Sequence, residues 1–374
     1  MNDEPKSAPP APWVLILAGG RGTRFWPASR RLRPKHVLPL LGAEGETLLQ
    51  ATVDRAGEIT SADRVFIITA EEQQSVVVGA CEGLAEANII LEPEPRNTAP
   101  AIALGLAHLQ LRGAGPDDPV IVMPSDAWVA DDVVFSQVMS RAVDAAFESE
   151  AVVTLGVRPD RPETGYGYLG LGEGVEVSVH GSGHGREVRE VTEFREKPSR
   201  ELAQQYLDSG AWWWNAGIFV FRLGYMAQLM GEVNADLDVG RPLQEAVQGG
   251  AMEDLAEQYR CLPDISVDHG VMEQAPSVLT VEANFGWSDL GSWHALAPAL
   301  EAGPGGCARA DLVVAEDAEA NIVYAPGKTV ALLGVQDLVV VATDDAVLVV
   351  PRSRAQDVRV IVEQLADAGE DGLL

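Results

Sequence analysis

The run Gly19-Gly20-Arg21-Gly22-Thr23-Arg24, followed by Pro34-Lys35, sets glycines beside cations directly after a short apolar run, Trp13–Ala18. Glycines let backbone N–H groups approach a phosphate without obstruction by Cβ, and arginine and lysine supply the charge that a pyrophosphate requires. The spacing is not that of the Walker A loop, which needs Gly-Lys-Ser/Thr. Nor is it the dinucleotide pattern GxGxxG, because Phe25 stands where its third glycine would be. Arg21, Arg24, Arg30, Arg31, Arg33 and Lys35 all fall between Lys6 and Ala43, a stretch without an acidic residue. Such a cationic loop suits a small polyanion; the bland alternative is a glycine turn with solvated arginines.

Four other places carry groups able to do chemistry. Asp126 follows the apolar run Val120–Met123, at the strand end where open α/β sheets place ligands. An acid there fits a metal or a turn cap. Asp289, in Trp287-Ser288-Asp289, reads as the start of a helix, where a cap competes with a metal role. Glu196-Lys197-Pro198 pairs an acceptor for hydroxyls with a cation, or is simply a solvated charge pair at a strand end. In Arg96-Asn97-Thr98-Ala99-Pro100 either Asn97 or Thr98 suits a helix N-cap, and Pro100 suits the first turn.

The elements that must hold these groups follow a βαβ rhythm. Apolar runs at Trp13–Ala18, Arg64–Thr69, Asn88–Leu91, Val120–Met123 and Val152–Val157 have the length of buried parallel strands. Helical periodicity separates them at Thr47–Ile59, Glu71–Leu84, Ala99–Arg112 and Val133–Ser149. The expected fold class is α/β, a doubly wound, mostly parallel, Rossmann-like sheet. Tyr168–Leu171, Val188–Phe194, Trp214–Arg222 and Val278–Val281 extend or cap it. Trp212, Trp213 and Trp214 read as core or as dimer contact, with core favoured. After Pro304-Gly305-Gly306 come short β-branched runs, Asn321–Tyr324, Thr329–Leu333, Leu338–Ala342 and Ala346–Val350, and then an amphipathic helix at Ser353–Leu365. The expected organisation is a disordered tail over 1–12, an α/β domain over 13–303 and a small all-β domain with a terminal helix over 304–374.

LAGGRGTRFWPASRRLRPK at residues 17–35 closely resembles the N-terminal signature of the mannose-1-phosphate guanylyltransferases, a branch of the nucleotide-sugar pyrophosphorylases. EPEPRNTAPAIALG at 92–105, MPSD at 123–126, FREKP with WNAGIFVF at 194–221, and GWSDLGSW at 286–293 follow in that family's order. The resemblance covers nearly the whole chain after the tail. It implies the nucleotide-diphospho-sugar transferase type of sheet, with Mg²⁺ as cofactor on Asp126 and Asp289. It also implies a nucleotide site of Ala18, Gly19, Gly20, Arg21, Gly22, Thr23, Asn97, Thr98, Pro100 and Ser125, with Thr98 and its turn against the guanine edge. A sugar-phosphate site is implied at Gly165, Tyr166, Gly167, Glu196, Lys197, Asn215 and Gly217. Arg24, Lys35, Asp126 and Asp289 are implied as the catalytic set.

The implied substrates are GTP and mannose 1-phosphate, joined with release of pyrophosphate. The nucleophile is an already ionised phosphate, so no general base is required, in keeping with the absence of a recognisable triad. Another sugar-1-phosphate and nucleotide pair (glucose 1-phosphate with UTP or dTTP) and a catalytically silent nucleotide-sugar-binding subunit are the competing readings. Two departures from the family bear on base preference: Ala127 and Trp128 follow the MPSD aspartate where His is common, and His36 stands where Gln is usual. A phosphomannose isomerase domain, fused to some relatives, is not expected.

Composition narrows the classes further. The 56 acids against 27 bases, a formal charge of −29, oppose binding to nucleic acid or anionic membranes. No apolar run approaches the ~20 residues of a membrane span, and the N-terminus lacks a signal-peptide pattern, so a cytoplasmic protein is expected. Cys81, Cys261 and Cys307 are few and scattered and read as ordinary thiols. Relatives are often dimers, which makes a homodimer an implied assembly.

Overall fold

The computed structural model describes residues 8–20, 22–42, 45–177, 187–238 and 241–374. Residues 1–7 of the expected tail, and Arg21, lie outside the described residues. At the end of the expected tail, the Ala11 carbonyl accepts from Arg64 Nη1 at 2.7 Å, and that of Pro12 from Thr60 Oγ1 at 2.8 Å.

Nine strands form the main sheet: β1 Trp13–Leu17, β2 Val65–Ala70, β3 Ile89–Glu92, β4 Pro119–Pro124, β5 Val152–Val157, β6 Gly167–Val175, β7 Val188–Glu196, β8 Trp212–Arg222 and β9 Val278–Glu282. Their order is β3-β2-β1-β4-β8-β5-β9-β7-β6, with a further pairing between β8 and β6. β1, β2, β3 and β4 are mutually parallel, as are β5 and β9, while β7 and β8 run against their neighbours. Seven of the nine strands therefore point the same way, as the apolar runs predict, and only β7 and β8 are reversed. Helices α1 Leu48–Ile59, α2 Gln74–Ala80, α3 Thr98–Leu111 and α4 Asp132–Glu148 cover it. α3 is apolar around its whole circumference because it is wedged between the sheet and a layer of later helices: Ala99 to Ala107 are all buried, and a Cβ on Gly105 would stand 2.6 Å from Leu15. Among the described residues no helix is long and apolar enough to cross a membrane.

The C-terminal part holds a second sheet, with β10 Glu301–Gly303, β11 Gly306–Glu316, β12 Asn321–Leu333, β13 Leu338–Ala342 and β14 Val347–Pro351 in sequence order. Two expectations are corrected here. Asn321–Tyr324 and Thr329–Leu333 belong to one strand, interrupted only by a bulge opposite Ala310 and Leu312. β11, whose interior Arg309 and Asp311 hide its strand pattern, pairs with β12 in parallel. The final helix, α5 Val358–Asp367, starts later than Ser353, after a 3-10 segment at Arg352–Asp357.

This second unit packs directly beneath the glycine loop. Phe25, Trp26, Leu38, Trp293, Tyr324 and Val358 share one buried cluster. Trp293 Nε1 donates to the Trp26 carbonyl at 3.0 Å, and Trp26 Nε1 to the Leu373 carbonyl at 2.9 Å. Trp213 and Trp214 are 4% exposed, in keeping with a core role, and Trp212 stacks on Tyr206 at 3.8 Å between ring centroids.

Candidate active site

Parallel β1 and β4 end side by side, Leu17 opposite Pro124, so both chains leave the sheet at the same edge. The glycine loop leaves β1 there, and Ser125 and Asp126 leave β4, with Ser125 N bonded to the Leu17 carbonyl at 3.0 Å. Gly22 turns the loop at φ 61°, and a Cβ there would lie 2.6 Å from Lys35 Cβ, so the close approach of Lys35 requires glycine. Lys35 is 4% exposed, and its Nζ stands 5.6 Å from the Phe25 ring centroid. Its ammonium contacts Asp126 Oδ2 at 2.7 Å and donates to the carbonyls of Asp289 at 2.7 Å and Leu290 at 3.2 Å.

Asp289 reaches this point from the far end of the chain. It does not start a helix. It follows a two-residue ladder in which Trp287 and Ser288 pair with Val129 and Trp128, and Leu290 then takes φ 45°. The Asp289 carboxylate accepts from Tyr166 Oη at 2.5 Å and from Gly291 N at 3.0 Å. Burial pushes this carboxyl above its usual range, while the Tyr166 hydrogen bond and Lys35 pull the other way. Burial also raises the Tyr166 phenol, with Asp289 adding to it.

The cleft extends to both sides of this centre. On one side a cavity of about 390 Å³ is walled by Ala18, Gly19, Gly20, Ser125, Asn97 and Thr98. Asn97 caps α3, its Oδ1 accepting from Thr98 N at 3.0 Å while its backbone sits at φ 68°. That conformation is rare for a residue other than glycine and is concentrated at functional turns. Thr98 Oγ1 accepts from Val267 N at 2.8 Å, and Pro100 is buried in the first helical turn. Gly19 lies against a carboxylate to which the sequence assigns no role, that of Glu92 at the head of the 92–105 motif: a Cβ there would meet Glu92 Oε2 at 3.2 Å, and Glu92 Oε1 accepts from Tyr259 at 2.5 Å. His36 also lines this cavity. Burial lowers its imidazole to about 4, so it is neutral at pH 7, and its Nε2 has no partner among the described residues.

On the other side a cavity of about 570 Å³ is lined by Arg24, Arg161, Gly165, Tyr166 and Asp289. Gly165 N donates to Glu163 Oε1 at 3.1 Å, and the Tyr166 ring meets Trp214 and Trp287 edge-on at 5.2 and 5.3 Å. Lys197 Nζ pairs with Glu196 at 2.7 Å, the lysine 63% exposed and the glutamate 10%. Gly167 holds the backbone open for Glu196, since a Cβ would stand 2.7 Å from its Oε2 and 3.3 Å from Asn215 Cβ. Asn215 Oδ1 accepts from Thr154 Oγ1 at 2.7 Å and from Gly217 N at 3.1 Å, while Nδ2 donates to Asp268 at 3.1 Å. Asp268, like Glu92, is given no role by the sequence, because a single acid after a capping Ser266 looks like any first helical turn.

The described candidates thus fall into three neighbouring groups: the loop with Asn97, Thr98, Pro100 and Ser125; the Arg24, Lys35, Asp126 and Asp289 centre; and Gly165, Tyr166, Gly167, Glu196, Lys197, Asn215 and Gly217, of which Gly217, with Asp268, also lines the cavity of the loop. At the centre the Asp126 carboxylate pairs with the Lys35 ammonium, which also binds the Asp289 backbone, and no group of three or more His, Cys, Asp or Glu side chains converges among the described residues. Mg²⁺ takes one or two carboxylates and completes its shell with phosphate and water oxygens, so this donor set fits it.

The nucleotidyl transferase family model matches residues 13–303, and the mannoseP isomerase/GMP-like beta-helix domain model matches 311–365. The mannose-1-phosphate guanylyltransferase of Escherichia coli (strain K12) is 37% identical over 96% of this chain and 74% of its own length. The xanthan biosynthesis protein XanB of Xanthomonas campestris is 36% identical over 95% of this chain and 73% of its own. The crystal structure of mannose-1-phosphate geranyltransferase from Thermus thermophilus superposes with a TM-score of 0.82 at 37% identity, covering 95% of this chain and 99% of that one.

Proposed function

The chain belongs to the nucleotidyl transferase family, and we propose that it makes GDP-mannose and pyrophosphate from GTP and mannose 1-phosphate. One observation carries the reading: Lys35, Asp126 and Asp289 meet at the carboxyl edge of β1 and β4, between a pocket behind the glycine loop and a second pocket beside Tyr166. A nucleoside triphosphate and a phosphorylated sugar, one from each side, bring their phosphates together there. The names of the Escherichia coli and Thermus thermophilus relatives support mannose 1-phosphate, and that of the former a guanylyl group.

A phosphate oxygen of mannose 1-phosphate attacks the α-phosphorus of GTP. The new P–O bond forms as the bond to the α,β-bridging oxygen breaks, and pyrophosphate leaves with the bonding pair. Catalysis is positioning and charge neutralisation, without proton abstraction. Arg21 and Arg24 hold the leaving pyrophosphate, Lys35 the reacting phosphates and Lys197 the sugar phosphate. Glu196 and the Asn215–Gly217 turn hold the sugar, while Asn97, Thr98 and the backbone behind Gly19 hold the base. Asp126 and Asp289 hold Mg²⁺, which when bound supplies positive charge to the phosphate oxygens. Such a reaction on free metabolites fits a cytoplasmic enzyme.

The test is pyrophosphate release with Mg²⁺, crossing four nucleoside triphosphates with mannose, glucose and N-acetylglucosamine 1-phosphates. Preference for GTP with mannose 1-phosphate is expected. Another preferred pair overturns the specificity, and no release from any pair overturns the catalytic reading.

A further inference from the structure

Asn215 is 7% exposed and its amide is held in one orientation. With Thr154 Oγ1 and Gly217 N both on Oδ1, only Nδ2 faces Asp268, whose Oδ1 accepts it at 3.1 Å. Gly217, at φ 69°, turns β8 just beyond. Asp268 lies in the one-turn segment Val267–Gly270, capped by Ser266. That segment is tied to the start of α3 by backbone groups: Val267 N donates to Thr98 Oγ1 at 2.8 Å, and Ala99 N to the Ile265 carbonyl at 3.2 Å. Asp268 lines the same cavity wall as Asn97, Thr98 and Gly217. It therefore links the Asn215 turn to the turn at the head of α3.

We infer that Asp268 is a positioning residue for the sugar phosphate: anchored on the α3 turn, it fixes the Asn215–Gly217 turn against which the hexose binds. The inference rests on the reading of Asn215 and Gly217 as sugar contacts. The contact with Asn215 uses an acceptor oxygen of Asp268 and not its charge. Burial, joined by the Glu196 charge, raises Asp268 to about 7, with the backbone, Lys197 and His269 opposing the shift only in part. An amide would accept the same Asn215 hydrogen bond without that desolvation. Because the bonds to the α3 turn are made by the backbone of Ile265 and Val267, they survive substitution of the Asp268 side chain.

The experiment is steady-state pyrophosphate release by wild type, Asp268→Ala, Asp268→Asn, Asn215→Ala and the Asp268→Ala/Asn215→Ala double variant, each substrate varied in turn. Asp268→Ala is expected to raise the KM for the sugar phosphate about 10-fold or more, leaving the KM for the nucleotide within about threefold. Asp268→Asn, which keeps the acceptor, recovers most of that loss. The double variant is no worse than Asn215→Ala alone, because both substitutions break one interaction. Equal rises in both KM values, or effects of the two single substitutions that multiply in the double variant, overturn the inference. If wild type prefers a different sugar phosphate, the mannose reading fails while the same cycle, run on that sugar, still decides the role of Asp268.

Discussion

Lys35 Nζ stands 2.7 Å from Asp126 Oδ2 although Lys35 is only 4% exposed, whereas the Asp126 side chain is 44% exposed. The ammonium is thus fixed from behind, by the carbonyls of Asp289 and Leu290 and by the Phe25 ring, and presents its charge forward into the cleft. A lysine held this way loses no freedom when a polyphosphate arrives.

Lys35→Met should therefore lower kcat by about 10²- to 10³-fold, the range lost when one preorganised charge-stabilising donor is removed. Lys35→Arg should not restore it, since a planar guanidinium cannot occupy the space of an ammonium packed over Phe25 and bonded to two carbonyls. Turnover of both variants under saturating substrates checks this; an arginine variant near wild type removes the packing argument.

The Asp289 carboxylate serves the centre while Tyr166 bonds it at 2.5 Å. Asp289→Asn keeps the volume and an acceptor for Tyr166 but removes the charge, and should cut turnover on the order of 10³-fold with a raised Mg²⁺ requirement. Tyr166→Phe removes only the hydrogen bond and should cost about 10-fold or less. Titrating turnover against Mg²⁺ separates the two. An asparagine variant with wild-type turnover and metal dependence would take Asp289 out of the metal site.

How much of this is legible in the sequence depends on how each group is encoded. The parallel strands carry uninterrupted apolar runs, and the loop of Gly19 to Lys35 and the acid after Val120–Met123 stand out by type and place. Asp289 is visible by motif, but its setting is not. A two-residue ladder with Trp128 and Val129 leaves no periodic trace, so the residue looks like a helix start. Nothing local marks what Glu92 and Asp268 do. Their settings are made by Tyr259 and Asn215, 167 and 53 residues away in sequence, and only the folded chain brings them together. β11 is hidden because Arg309 and Asp311 interrupt its pattern, the former reaching out to the Leu41 and Gly42 carbonyls.

Gly20 and Gly22 separate packing from phosphate approach within one loop. A Cβ on Gly22 meets Lys35 Cβ at 2.6 Å and Lys35 N at 2.9 Å with the backbone at φ 61°, whereas one on Gly20 meets nothing within 4 Å. Gly22→Ala should destabilise the fold by about 1–3 kcal/mol and lower turnover by displacing Lys35. Gly20→Ala should leave stability within about 0.5 kcal/mol yet raise the KM for the nucleotide, because the new methyl group blocks the backbone from the phosphates. Denaturant midpoints with KM values for both substrates test the pair. An unchanged nucleotide KM in Gly20→Ala argues against phosphate contact there.

Stability should fall in mild acid, and the sign follows from one buried and one half-buried imidazole. Burial lowers His36 and His108 from the usual 6.5 to about 4, so between those values the unfolded chain binds protons that the fold refuses. Their contribution is present above pH 6.5 and lost as pH falls toward 4, by up to about 3 kcal/mol for buried His36 and by less for the half-buried His108. Asp268 acts in the opposite sense: raised from 3.8 to about 7, it binds a proton in the fold first, so its effect favours the fold at low pH and is lost as pH rises toward 7. His36→Gln should therefore flatten the acid limb between pH 6.5 and 4. Asp268→Asn should steepen it and gain stability at pH 8. Denaturant unfolding of the three proteins at pH 8, 6.5 and 5 checks both signs, and an acid limb unchanged by His36→Gln would mean that His36 takes up its proton without leaving the fold.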